Sequence, residues 1–172
     1  MRPRHASRSA WVAGLALTVL LSLACAAPVA APDAASATFT IDGKPVTLVA
    51  GRSEREAAPG SATKIVTMLG AEKAEGDVDA DGRPDVAVTL VYQPGGSGSF
   101  TYVAAVLNPT AGATGTNAVL VGDRVKVTVL RLDGKTIVVE YLDRRPGEPF
   151  ATAPSVPTTK RLVTSGGKLV VQ

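Results

Sequence analysis

The chain is short of the residues that carry most enzyme chemistry. Its 172 residues contain one cysteine, Cys25, one histidine, His5, and one tryptophan, Trp11. All three fall in the first 25 residues, beside Arg2, Arg4 and Arg8 and without a single acid. If that stretch is a removable leader, no histidine and no free thiol remain. This excludes Ser-His-Asp and Cys-His nucleophilic catalysis, and histidine-based metal chemistry with them. A lone cysteine also leaves no disulfide to staple the fold. Aromatic residues make up only 4% of the chain, so platforms for stacking sugars are nearly absent. An excess of base is lacking too. Setting aside the three leading arginines leaves the 18 Lys and Arg level with the 15 Asp and Glu. A protein that binds nucleic acid needs a basic face to neutralise phosphates, so that class is excluded. No repeat of 20–50 residues is present, which excludes solenoids and propellers.

The N-terminal stretch has its own logic. Trp11 to Leu23 is a run of 13 residues broken only by Gly14, Thr18 and Ser22. A membrane-spanning helix needs about 20. A basic segment followed by a short apolar one is the pattern of a secretory signal. The run ends in Leu21-Ser22-Leu23-Ala24-Cys25, which resembles the lipobox of bacterial lipoproteins. The resemblance implies cleavage before Cys25 and diacylglycerol on its sulfur, with palmitate-type chains. Two or three chains hold a protein stably to a membrane. Ala26, not Asp, follows the cysteine. In a diderm bacterium the sorting rule of that family then implies the outer membrane. Residues 26–37, AAPVAAPDAASA, carry one charge and no apolar period, and read as a tether. Extended, they reach roughly 40 Å. The expected organisation is a signal peptide over 1–24, a lipidated cysteine and flexible tether over 25–37, and one β-domain over 38–172.

The body predicts an all-β fold, a single antiparallel β-sandwich or barrel-like domain. β-Branched runs broken by Gly, Asp and Pro recur every 8–12 residues. Asp42-Gly43 joins Thr38–Ile41 to Pro45–Val49, and Asp133-Gly134 joins Val125–Leu132 to Thr136–Leu142; both are strong hairpin turns. A last pair turns at Ser165-Gly166-Gly167. Lys64–Leu69, Asp85–Tyr92, Phe100–Leu107 and Ala118–Val121 are further strands, and Arg52–Ala58 is a helical turn. Alternation places Val125, Val127 and Val129 on one buried face, and Val86, Val88 and Leu90 on another. Ala87, Thr89 and Val91, opposite the latter, are only half polar, which predicts a strand that is central or covered on both sides.

The strongest chemical signal is Asp77-Val78-Asp79-Ala80-Asp81-Gly82-Arg83-Pro84-Asp85, or D-x-D-x-D-G-x-x-D. Calcium takes six to eight oxygen ligands. Alternate residues of a curling backbone point inward, so Asp77, Asp79 and Asp81 converge. Gly82 allows the sharp turn, the carbonyl of Arg83 turns to the ion, and Asp85 closes the far side. From Glu72 to Asp85 six acids face two bases, Lys73 and Arg83, a repulsion that a cation relieves. The competing reading is a solvated acidic turn that only shapes a hairpin. The pattern resembles the calcium loops of dockerins, thrombospondin type 3 repeats and FG-GAP repeats. It departs from the EF-hand, because Val88 stands where a bidentate Glu belongs. What carries over is a structural calcium and its first ligands, without sensor behaviour.

The order of acidic loop, Val86–Val91, Gly95–Tyr102, Leu120–Val125 and the Pro-rich Arg145–Pro157 resembles a group of small bacterial envelope lipoproteins to which no activity is attached. That resemblance covers roughly Gly76 to Lys160, and implies an envelope location and a shared fold. Gly95–Ser99 reads as a hairpin connection, with a binding edge as the other reading. Asp123 and Arg124 read as a turn at the start of a strand, with an ion pair as the alternative. Arg144, Arg145, Pro146, Glu148 and Pro149 read as an extended crossover, with a PPII-like recognition surface as the alternative. The function expected is a non-enzymatic, lipid-anchored, calcium-stabilised domain that binds an envelope partner. The alternative is a hydrolase of envelope polymer, using Ser61 and Lys64 in S-x-x-K spacing or a carboxylate pair with Glu140 or Glu148.

Overall fold

The computed structural model describes residues 29–172. The expected signal peptide over 1–24 and the expected lipidation site, Cys25, lie outside the described residues. Among the described residues twelve strands follow in order: β1 (Thr38–Ile41), β2 (Lys44–Thr47), β3 (Arg52–Glu56), β4 (Lys64–Gly76), β5 (Asp85–Gln93), β6 (Phe100–Leu107), β7 (Thr114–Gly115), β8 (Val119–Asp123), β9 (Lys126–Asp133), β10 (Thr136–Asp143), β11 (Val156–Ser165) and β12 (Lys168–Val171). The helical content among the described residues is one 3-10 turn, Ala34–Ser36. None of their helices is long and apolar enough to cross a membrane.

The strands form three antiparallel layers, and none closes into a barrel. The middle sheet runs β3-β4-β5-β6-β7, with β8 also paired to β6. The β1-β2 hairpin covers one face of it, and the sheet β12-β11-β10-β9 covers the other. The domain is therefore all-β and sandwich-like, as composition and turn spacing predict. Two apolar cores result, one on each face of the middle sheet. Phe39, Ile41, Val46 and Leu48 meet Val86, Val88 and Leu90 on the hairpin side. Ala87, Val103 and Ala105 meet Ile137, Val139, Leu162 and Leu169 on the other. This explains why β5 is apolar or half-apolar at every position from Val86 to Val91. It is flanked by β4 and β6 and covered above and below, and Val86 through Leu90 are buried.

Three expectations are corrected. Arg52–Ala58 is not a helical turn; residues 52–56 form edge strand β3, paired from Arg52↔Met68 to Glu56↔Lys64. Its side chains, all but Ser53 charged, suit an exposed sheet edge, where charge discourages further pairing. Val129 does not share a face with Val125 and Val127. A bulge at Thr128 sets Val129 opposite Glu140 and Val127 opposite Tyr141, so inward positions switch to Leu130 and Leu132. Finally, part of the tether is docked. Ala34 is buried, Ala31 and Ala37 pack on the hairpin-side core, and Asp33 caps the 3-10 turn through a 3.0 Å bond from the Ala35 N–H. Backbone bonds from Gly51 N–H to Ala35 and from Leu48 N–H to Ala37 fasten it further. Small apolar side chains in this segment fit against a sheet, which a flexible reading of its Ala/Pro composition misses.

Candidate metal centre

The acidic sequence is the loop of the β4–β5 hairpin, closed by the pair Gly76↔Asp85. Its backbone is curled by its own carboxylates. Asp77 accepts from the Ala80 N–H at 2.6 Å and from the Gly82 N–H at 3.0 Å. Asp79 accepts from the Asp81 N–H at 3.1 Å, and Asp81 from the Arg83 N–H at 2.8 Å. Ala80 and Gly82 both take positive φ, 71° and 81°. Glycine meets that demand without strain, whereas Ala80 is held there by the bonds around it.

Two residues fix the loop to the body. Val78 is 1% exposed and sits in the core between the two larger sheets, and its carbonyl accepts from Thr164 Oγ1 at 2.6 Å. Asp85 is fully buried, with one oxygen accepting from the Val78 N–H at 2.9 Å and the other from the Asn108 N–H at 2.8 Å. Burial raises the pKa of Asp85. The two backbone donors pull it down, and the charges of Asp79 and Asp81 push it up again.

Asp77, Asp79 and Asp85 each offer an oxygen, and these oxygens lie within 4.8 Å of one another. Asp81 is not one of that group; its carboxylate turns to the Arg83 N–H. Arg83 sends its side chain away from the acids, donating Nε to the Asn108 carbonyl at 2.5 Å. The geometry therefore gathers three of the four aspartates. Hard carboxylate oxygens this close suit a hard divalent cation, with backbone carbonyl or water completing its shell.

Asn108 carries no signal in the sequence, yet it joins every part of this corner. It bonds Asp85 and Arg83, and its Nδ2 reaches the carbonyls of Pro84 at 3.2 Å and Ala30 at 3.0 Å. It lies 23 residues beyond Asp85, so only the return of β6 beside β5 brings it there.

The other candidate residues are dispersed. Lys64 Nζ pairs with Glu56 at 3.3 Å, and Ser61 Oγ accepts from the Thr63 N–H at 3.1 Å. Glu140 sits on β10 opposite Val129 and reaches Arg131 diagonally at 3.6 Å, and Glu148 binds Arg145 at 3.2 Å. Asp123 and Arg124 do form a pair, at 3.9 Å, and together hold the Gly95–Ser99 loop. Asp123 accepts from the Ser99 N–H at 2.9 Å, and Arg124 donates to the Ser97 carbonyl. Arg144 organises the crossover after β10 by donating to the carbonyls of Thr152, Phe150 and Arg124. Compared with protein-family models, with curated proteins and with solved structures, the chain matches none.

Proposed function

We propose that this protein is a lipid-anchored component of the bacterial cell envelope, non-enzymatic, whose β-domain holds a structural calcium ion and docks an envelope partner. The reading belongs with the small envelope lipoproteins that the acidic loop and its flanks resemble. The observation that carries it is the meeting of the Asp77, Asp79 and Asp85 oxygens within 4.8 Å at the closed base of a hairpin. Bound calcium offsets two of the three negative charges and pins the β4–β5 turn against β11 and Asn108. If affinity is that of extracellular modules, Kd is roughly 10⁻⁴ M at the tight end, and about 1 mM calcium adds about 1.4 kcal/mol of stability. That corresponds to a rise in Tm of roughly 3–6 °C.

The test is thermal melting in calcium and in chelator. The wild type melts higher in calcium, magnesium at equal concentration does less, and Asp79→Ala loses the difference. Identical melting of the wild type with and without calcium would falsify the metal centre. The anchor has a separate test: cells labelled with a palmitate analogue incorporate it into the wild type and not into Cys25→Ser. Equal incorporation overturns the lipid reading and leaves the calcium reading standing.

A further inference from the structure

The six aromatic residues of the body are unevenly placed. Three of them, Tyr92, Phe100 and Tyr102, line one cavity of about 400 Å³ together with Asp42, Pro94 and Leu120. Tyr92 and Tyr102 stand at 86° with ring centroids 6.1 Å apart, so they form a corner. Leu120, 44% exposed, makes an apolar edge. The cavity opens where the Gly95–Ser99 loop leaves Pro94 and returns at Phe100, and Asp123 and Arg124 hold that loop in place.

One charge stands at the exposed rim of this apolar lining. Asp42 belongs to the β1–β2 turn, and both its oxygens lie within reach of the Tyr102 hydroxyl, at 3.2 and 3.0 Å. No ion pair among the described residues includes Asp42. The chemistry of the lining narrows the occupant. A bare metal ion needs several oxygen ligands and finds one carboxylate. An anion is repelled by Asp42. A wholly apolar ligand strips water from the carboxylate and returns nothing to it. A cation with carbon around its charge satisfies both parts, since aromatic rings attract cations and bury methyl groups. The volume lies in the range of small-molecule sites.

We propose that this cavity binds a small organic cation, an ammonium bearing methyl or methylene groups, with its charge on Asp42 and its carbon against Tyr92 and Phe100. This site is separate from the acidic loop and stands whether or not calcium binds there.

The experiment is calorimetric titration of the full chain at fixed ionic strength, with aromatic-ring NMR shifts recorded in parallel. The probes are choline, its neutral carbon analogue 3,3-dimethylbutan-1-ol, and Nα-acetyl-lysine methylamide. Choline or the lysine derivative binds and shifts the ring signals of Tyr92, and the neutral analogue binds at least about tenfold more weakly. The tighter of the two cations identifies the source, a free quaternary ammonium or a lysine side chain of a polypeptide. Asp42→Asn weakens binding about tenfold. Asparagine accepts the positive φ of 49° at this position and keeps the turn with Gly43, so this variant retains the fold. Tyr92→Leu, checked for an unchanged melting curve, weakens binding as well. Equal binding of the neutral analogue, wild-type affinity in Asp42→Asn, or no binding of either cation overturns the proposal.

Discussion

Asp85 and Asp42 carry the same carboxylate into opposite circumstances. Asp85 is sealed in, and both its oxygens accept backbone N–H groups from Val78 and Asn108. An amide in its place accepts at one end only and turns a donor on a donor at the other. Asp85→Asn is therefore expected to cost about 1–3 kcal/mol, measured by urea denaturation in chelator so that no ion contributes. Unchanged stability there would mean that the two backbone bonds are dispensable. Asp42 acts instead on a neighbour. The pKa of Tyr102 is raised to about 12, first by burial, then by its hydrogen bond to Asp42 and by the charges of Asp42 and Tyr92. A phenol whose folded pKa exceeds its unfolded value near 10 keeps its proton better when folded. Its contribution is complete below pH 10 and is lost as pH rises from 10 toward 12. Phenolate absorbance should show a late-titrating tyrosine that is missing in Tyr102→Phe and moves toward 10 in Asp42→Asn. An unmoved titration in Asp42→Asn would remove Asp42 as a cause and leave burial and Tyr92. Four aspartates at alternating spacing were legible in the sequence. That Asp85 faces inward and Asp81 turns aside was not, because those orientations depend on Asn108 and on the hydrogen bonds of the curl.

At the scale of the element, the bulges decide what alternation alone cannot. Leu69 pairs with Leu90 and Lys73 with Val88, so Gly70, Ala71 and Glu72 on β4 face Thr89 alone. Thr89 Oγ1 donates to the Glu72 carboxylate at 2.9 Å, filling the gap that the extra residues make. A Cβ on Gly70 would lie 1.9 Å from that hydroxyl and 2.9 Å from the Thr89 Cβ. Gly70→Ala is expected to destabilise the domain by about 1–3 kcal/mol through overpacking. Pairing it with Thr89→Ala should recover part of the loss. Equilibrium denaturation of the two single variants and the double variant checks this, and additive effects would sink the account. The strands themselves and the Asp-Gly hairpins follow from local pattern, as Asp42 and Gly43 show with φ of 49° and 77°. The bulge at Thr128 does not. It moves the inward face from Val127 to Leu130, and only the register with Glu140 and Tyr141 fixes it.

Across the whole molecule, three layers must be held at two interfaces, and Asn117 serves both. Its backbone lies beside Thr40 of β1, where the Thr40 N–H bonds Thr116 and the Ala118 N–H returns to Thr40. Its side chain imitates a strand partner for β12, accepting from the Leu169 N–H at 2.8 Å and donating to the Leu169 carbonyl at 3.0 Å. Asn117→Ala leaves both groups of Leu169 without these partners and is expected to cost about 1–3 kcal/mol. Hydrogen exchange should quicken first at the Leu169 amide. Protection there equal to wild type would remove Asn117 from this role. The sequence by itself determined an all-β chain, its hairpin turns and the acidic loop, because strand period, turn chemistry and charge crowding are local properties. It also predicted that β5 is central or covered on both faces, since Val86, Val88 and Leu90 alternate with Ala87 and Thr89, and the structure shows it to be both. The docking of Ala31–Ala37, the inward turn of Asp85, the clamp at Asn117 and the gathering of Tyr92, Phe100 and Tyr102 around Asp42 were decided only by the tertiary structure. Each joins residues that meet when separate strands pack, and backbone hydrogen bonds between distant strands leave no periodic trace in the chain.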